Sequence, residues 1–579
     1  MQTLDTDVLV VGAGPTGLTV ATYLAKHGIK VMAISKYPGT APAPRAHVTN
    51  QRTMEIFRDL GIEEQIRKVG YDLSFLCYNV MAASMAGMEI GRYRSYGTPP
   101  DRVSEYALAS PCSAINCQQH VMEPVLLAEA RRLGADVRFN NELLRIEEIE
   151  DGVIGHVLDR ETGAEFTVRA RYAVGADGGR STVAEQLGFK FVGEAGLKGM
   201  ASSWIEADLR KYAEYRPGII YWTAQPGNDQ IASWTTVVPF TEWLFVHPWP
   251  VDREKPSEEE VLERARRSIG DHDIPLRIKH ISTWQVNNVV ATEYQKGRVF
   301  LAGDAAHRHP PYGGLGTNTS IQDAFGLAWK LAMVIKGQAG PGLLGSHTEE
   351  RQPVGAHVVH RAIESFKNMR PLEQAIGLDK AQTAEEGWAT LQELYADSPT
   401  SVERREKLAA AIKLQDYRSN ALGVDLGQRY ASSCAIVAED VPFPEPVNGD
   451  RELHYRPTTH PGAPIPHAWV EHKGKKLAIH DLVGHGQFTL IVGIGGAPWI
   501  RAAGEVSASL GIDLRVRSVG LRCEYDDVTN DWAIVREVSD RGAVLVRPDR
   551  FIAWRSMDLA TSPSEALEAA LRQVLSITA

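Results

Sequence analysis

The sequence predicts an α/β fold, mostly parallel, with an inserted mixed β-sheet and a small α/β unit at its C-terminal end. Three observations predict it. A strand, a glycine turn, a helix and a second strand open the chain, and alternating strand patterns with few helical ones fill its middle. A Pro-rich stretch then precedes a compact last unit.

Asp7-Val8-Leu9-Val10-Val11 is an unbroken β-favouring run, the mark of a strand buried on both faces. Gly12-Ala13-Gly14-Pro15-Thr16-Gly17 follows at once, and Leu18, Ala21, Leu24 and Ala25 then recur at helical spacing. Gly28 ends that helix, and residues 29–34 form the next strand. This is the Rossmann βαβ unit. Gly12 permits the tight turn, Gly14 lets backbone approach a pyrophosphate, and Gly17 lets helix and strand pack closely. The anion would sit on free N–H groups at the helix N-terminus. The acidic residue that usually holds the adenosine ribose is missing, because the second strand ends Ala33-Ile34-Ser35-Lys36. Ser35 or Lys36 is left to contact the ribose hydroxyls or a phosphate.

Between about 190 and 285, runs such as Ile219-Ile220-Tyr221-Trp222 and Trp234-Thr235-Thr236-Val237-Val238 predict a separate, half-exposed sheet. Tyr221, Trp222 and Trp234 are its candidates for lining an apolar pocket. From Thr319 onward, Ile321, Ala324, Phe325, Ala328 and Trp329 share a helix face, and helices continue to about 420. Residues 441–466 read as a linker. The final unit ends in a helix that Ser562-Pro563-Ser564-Glu565 announces as a capping box with Pro at N1.

Composition excludes several function classes. The 579 residues carry a net charge of −10, so the basic footprint of a nucleic-acid binder is absent. Apolar runs of about five or six residues fall short of the roughly 20 that a membrane span needs. No basic segment precedes the first apolar run, which argues against a signal peptide. The five cysteines form no CxxC pair and no metal-ligand spacing, as expected of reduced thiols in a cytoplasmic protein. No metal site is expected; His307 and His309 precede two prolines with no supporting ligands.

Two more motifs carry chemistry. Tyr172-Ala173-Val174-Gly175-Ala176-Asp177-Gly178-Gly179-Arg180-Ser181 is an apolar strand ending in an Asp-Gly turn. Arg298-Val299-Phe300-Leu301-Ala302-Gly303-Asp304 is a strand ending in a Gly-Asp turn, and it leads through Pro310-Pro311-Tyr312-Gly313-Gly314-Leu315-Gly316-Thr317-Asn318 into the long helix. A glycine turn at a helix N-terminus suits negative charge developing on a planar heterocycle.

These three ordered motifs resemble the single-component FAD-dependent aromatic hydroxylases, across nearly the whole chain. The phenol hydroxylase branch, with a thioredoxin-like C-terminal domain lacking redox cysteines, is the one it looks like. Within it the chain is similar to the bacterial 2,4-dichlorophenol 6-monooxygenases and 2-hydroxybiphenyl 3-monooxygenases. Pro44-Arg45-Ala46-His47, Asn50-Gln51-Arg52-Thr53-Met54-Glu55 and His307-Arg308-His309-Pro310-Pro311 carry that similarity. The resemblance implies a discontinuous FAD-binding domain of residues 1–75, 110–188 and 286–400. It also implies a substrate sheet of 76–109 and 189–285, helices and linker over 401–466, and the thioredoxin-like domain over 467–579.

The resemblance also implies roles. Gly12 to Gly17 and Arg45 would bind the FAD pyrophosphate, Gln119 would lie along the flavin, and Asp304 would hold the ribityl chain. Gly314, Leu315, Gly316, Thr317 and Asn318 would grip the isoalloxazine edge. Asp177 would serve FAD and nicotinamide, although Ala184 stands where the family often has an Arg. Pro311, Tyr221, Trp222 and Trp234 would border the substrate. His47 matches the family's base, and a phenol gains from a base as its ring is attacked. The implied reaction uses NADPH or NADH as a transient reductant and O₂. It hydroxylates a phenolic or hydroxy-heteroaromatic ring through a flavin C4a-hydroperoxide, in a homodimeric enzyme. Two other readings stay open: a natural-product tailoring hydroxylase acting on a polyketide phenol or pyridinol, and a non-catalytic nucleotide-binding regulatory protein.

Overall fold

The structure, a computed structural model, describes residues 2–227, 231–378 and 382–577. Strand Gln2–Val11, helix Pro15–Lys26 and strand Val31–Ile34 form the opening unit. Val8, Leu9 and Val10 are fully buried, which is why the strand is apolar without alternation. It lies mid-sheet, in the parallel order Val299–Leu301, Glu165–Gly175, Gln2–Val11, Val31–Ile34, Asp136–Arg138. Two antiparallel strands, Asn141–Ile149 and Gly152–Asp159, extend from Glu165–Gly175.

Register explains why the three motifs belong together. Val11 pairs with Gly175, and Gly175 with Leu301. The turns at Gly12, Ala176-Asp177 and Ala302-Gly303 therefore leave the same carboxyl edge of the sheet side by side, where open α/β sheets bind ligands.

A second, eight-stranded sheet runs His307–Arg308, Arg277–Ala291, Phe191–Glu206, Glu242–Pro248, Ala232–Val238, Gly218–Thr223, Tyr78–Ala82, Glu89–Arg94. Its one parallel pair is Gly218–Thr223 with Tyr78–Ala82, so it is mixed. Helix Glu258–Ile269, started by the capping box of Ser257 and Glu260, packs on one face of it. The long helices Leu315–Ile335 and Ser346–Lys367 follow, and among the described residues five shorter ones come after them, ending at Leu426.

The last unit is a four-stranded sheet in the order Leu514–Ser518, Phe488–Val492, Ala543–Val546, Ile552–Ser556. Its first pair is parallel and the rest antiparallel, and helices Ala497–Leu510 and Pro563–Val574 pack together beside it. This is the thioredoxin-like arrangement. The expected capping box at its last helix is not formed. Pro563 does stand in the first turn, but the Ser562 side chain makes no capping hydrogen bond, and Ser564 donates to Glu505 instead.

Buried ion pairs fasten this unit to the rest. Arg550 donates from Nη1 to the Glu55 carbonyl at 2.7 Å and pairs with Asp59 at 3.2 Å. Arg547 lies between Glu350 and Asp549, both within 2.5 Å. All of these side chains are essentially inaccessible, where charge is tolerable only when paired.

Candidate active site

The first glycine turn packs as its residue types demand. Gly12 has φ +109°, and a Cβ there would collide with the Ala176 carbonyl. A Cβ on Gly17 would collide with the Gly12 carbonyl, so both glycines are required by the protein itself. Gly14 differs. A Cβ on it would meet only Glu123 Oε1, at 3.8 Å, so the space over that peptide is left open for something other than protein. Such a cradle fits a pyrophosphate. Two substitutions separate these roles. Gly17→Ala is expected to destabilise the folded chain by several kcal/mol. Gly14→Ala should keep its unfolding midpoint without cofactor and lose roughly 10-fold or more in FAD affinity. Fluorescence titration with FAD beside a urea melt checks both.

The second turn holds itself. Ser181 Oγ donates to Asp177 Oδ1 at 2.5 Å and Val183 N donates to Oδ2 at 3.2 Å, so Asp177 shapes the Gly178–Ser181 bend. Ser35 is buried at the end of Val31–Ile34, where its hydroxyl accepts from Tyr37 N, while Lys36 stays half-exposed.

The third turn presents Asp304. Its carboxylate is open yet ringed by protein, as in a side chain lining a deep cleft. Enclosure raises its pKa, while His307, Arg308 and Arg45 pull it back. Gly303 packs against Thr16 and Ser320, which joins this turn to helices Pro15–Lys26 and Leu315–Ile335. Asp323 supports it from beneath: Oδ2 accepts from Gly303 N at 3.0 Å and from His307 Nε2 at 2.8 Å, and Oδ1 accepts from Arg351 Nε at 2.7 Å. Nothing in the sequence had singled out Asp323 or Arg351.

His47 enters from the other side. Ala46 has φ +43°, a left-handed conformation that costs a non-glycine residue on the order of 1–3 kcal/mol. Hydrogen bonds on both sides enforce it: Gln119 N donates to the Arg45 carbonyl at 2.9 Å, and Cys117 N to the His47 carbonyl at 2.7 Å. His47 is half-buried, and its ring makes no hydrogen bond among the described residues; desolvation alone lowers its pKa to about 4. Arg45 is exposed on the same stretch. Gln119 turns along its own helix, donating to Glu123 Oε1 at 2.6 Å.

The Gly314 turn and strand Val48–Thr49, which follows His47, are stitched together. Gly314 is left-handed at φ +67° and packs on Val48, and helix Leu315–Ile335 begins there. Leu315 is buried, whereas Gly316 and Thr317 stay partly open. Asn318 is buried, and its side chain is engaged within the protein: Nδ2 donates to the Val48 carbonyl at 2.8 Å and Oδ1 accepts from Asn50 N at 3.0 Å. Only its backbone is left for a ligand.

The aromatic candidates divide by strand alternation. Tyr221 and Trp234 face the helix Glu258–Ile269 and are sealed in the core. The Tyr221 hydroxyl accepts from Gly218 N, and Trp234 Nε1 donates to Ser268. The structure thus corrects the expectation that they border a substrate: aromatic identity could not tell the two faces of the strand apart. Trp222, one residue on, faces the other way and stacks on Tyr312 at 6.4 Å and 7°, beside the exposed Pro311. Near Val48 the wall is apolar: Tyr71, Tyr96, Ala114 and Ile220 pack there, and Tyr96 is also left-handed at φ +53°.

Comparison with known proteins follows the same outline. The FAD binding domain family matches residues 5–362, and the family described as aromatic-ring hydroxylase, C-terminal, matches residues 458–577. The chain is 42% identical to the 2,4-dichlorophenol 6-monooxygenase of Delftia acidovorans, covering 99% of both chains. It is 40% identical to the phenol 2-monooxygenase of Pseudomonas sp. (strain EST1001), over 97% of this chain and 92% of that one. The crystal structure of the flavin-dependent monooxygenase PieE in complex with FAD and substrate matches with a TM-score of 0.96 at 40% identity, covering 99% of this chain and 100% of that chain.

Proposed function

The chain belongs to the FAD-dependent aromatic-ring hydroxylases, and from that premise we propose that it hydroxylates a small phenol with His47 as the base. One observation carries the assignment of the base. Asn318 Nδ2 donates to the Val48 carbonyl at 2.8 Å, which sets the His47 strand directly against the helix N-terminus that follows Gly314. Relatives named for phenol and 2,4-dichlorophenol support the substrate class.

FAD, when bound and reduced, supplies the activation of O₂: one oxygen atom goes to the ring and the other leaves as water. Gly12 to Gly17 and Arg45 would hold the pyrophosphate, Asp304 the ribityl hydroxyls, and the backbone from Gly314 to Asn318 the ring edge. The chain's own residues do the rest. Burial keeps the His47 imidazole neutral near pH 7, so it can accept the phenol proton and leave the ring electron-rich. The N–H groups at the start of Leu315–Ile335 stabilise nearby negative charge. Tyr71, Tyr96 and Ile220 form an apolar wall that keeps water from the reacting ring.

The same reading takes NADH or NADPH as a transient reductant, a cytoplasmic location and a homodimer. No described helix is long and apolar enough to cross a membrane, and all five cysteines are unpaired. The test is a panel of phenols, scored by oxygen uptake together with hydroxylated product. Product formed in step with nicotinamide oxidation supports the proposal. Oxidation that yields only hydrogen peroxide with every phenol sinks it.

A further inference from the structure

Asp425 sits on the short helix Leu422–Leu426, far along the chain from every motif of the site. It is nevertheless tied to the site. Asn50 Nδ2 donates to Asp425 Oδ1 at 2.8 Å. Asn50 is itself the N-cap of helix Gln51–Leu60, its Oδ1 accepting from Thr53 N at 3.0 Å. Its backbone N donates to Asn318 Oδ1 at 3.0 Å, and Asn318 holds both Val48 and Gly314. A continuous line of hydrogen bonds, passing through the Asn50 backbone, therefore runs from Asp425 through Asn50 and Asn318 to Val48, next to His47, and to Gly314.

Asp425 is half-buried and sparsely paired. Among the described residues it makes no ion pair, and the bond from Asn50 is its one side-chain hydrogen bond. Tyr96 and Tyr106 feel its charge, and the buried Tyr106 hydroxyl has no partner. Burial pushes the Asp425 pKa up to about 7, with Asn50 opposing.

We infer that Asp425 is a positioning residue, which fixes Asn50 and through it the spacing between the His47 strand and the Gly314–Asn318 turn. Asn50 has four polar groups and a partner for each, its carbonyl accepting from Met54 N at 3.0 Å. Removing the Asp425 acceptor leaves the Asn50 amide held by Thr53 N alone, and the backbone at Asn50, which bonds Asn318, loses its tie to helix Leu422–Leu426. The base then drifts relative to the ring it must deprotonate, and small misplacements of this kind are costly.

The inference rests on His47 and the Gly314–Asn318 turn serving one site, as proposed above. The experiment compares full-length, FAD-loaded parent, Asp425→Ala and Asp425→Asn with a phenol that the parent hydroxylates. Asp425→Ala should lower kcat on the order of 10-fold with KM changed less than about 2-fold, and shift oxygen uptake from product toward peroxide. Its FAD dissociation constant, read by flavin fluorescence without turnover, should rise about 3-fold. Asp425→Asn keeps an acceptor for Asn50 and should restore coupling and FAD affinity. Parent-like coupling in Asp425→Ala, or equal loss in both variants, overturns the inference. Should Asp425→Ala not fold, Asn50→Ser keeps the helix cap but loses the donor to Asp425, and the same expectations apply to it. A parent that hydroxylates no phenol would instead overturn the proposed function.

Discussion

Replacing His47 by Gln is expected to lower kcat for an unactivated phenol by roughly 10²–10³-fold at pH 7 while leaving FAD binding intact. The size follows from what the imidazole does and from what it does not touch. It makes no hydrogen bond among the described residues, so its removal breaks no structural network. Burial places its pKa at about 4. The sign is therefore definite: the base is lost only as pH falls through that value, and it is present throughout the neutral and alkaline range. Wild-type kcat should accordingly stay flat above about pH 5. The variant must wait for the substrate to ionise unaided, near pH 10 for a simple phenol. Its rate should rise about 10-fold per pH unit, converge on the parent at high pH, and suffer least with acidic phenols. A loss equal at every pH and for every phenol would remove His47 from proton transfer.

Much of this site could be read from local sequence because its parts are local. Gly12, Gly14 and Gly17 act through their own turn, and the Gly303-Asp304 and Gly314 turns lie within about a dozen residues of one another. The parallel register that aligns them follows from apolar strands that fit only a doubly covered sheet. What the sequence left hidden is contact between distant segments. Asn318 reads as a cofactor-edge residue, and its backbone still can be one. Its side chain, however, bonds Val48 and Asn50, some 270 positions away. Asp323 lies on the buried face of an ordinary-looking helix, and only its bonds to Gly303 and Arg351 give it a role. Tyr221 and Trp222 are adjacent and both aromatic, so only the direction of the pleat decides which is sealed under helix Glu258–Ile269 and which packs on Tyr312.

Replacing Arg547 by Met is expected to destabilise the protein by about 3–5 kcal/mol and to speed FAD release, although no cofactor motif lies near it in sequence. Three cations and three carboxylates share this buried region: Lys330, Arg351 and Arg547 face Asp323, Glu350 and Asp549. Arg547 donates to Glu350 at 2.5 and 2.9 Å and to Asp549 at 2.5 Å. Removing it leaves one negative charge uncompensated, and Glu350 then relies on Lys330 at 2.6 Å and the Ser433 hydroxyl. The disturbance has a short route to the Gly303-Asp304 turn. Arg351 is the next residue after Glu350, and Arg351 holds Asp323, which holds Gly303 beside Asp304. A thioredoxin-like unit without CxxC cannot exchange dithiols. It does supply Arg547 and Asp549, which complete the charge balance beneath the Gly303-Asp304 turn. The control is Arg547→Met with Asp549→Asn, which removes one charge of each sign. The double variant should recover part of the lost stability and most of the FAD retention. Urea midpoints and the rate of flavin fluorescence increase on dilution read both. An Arg547→Met protein that melts and holds FAD like the parent would mean that the last domain is attached to the site without supporting it.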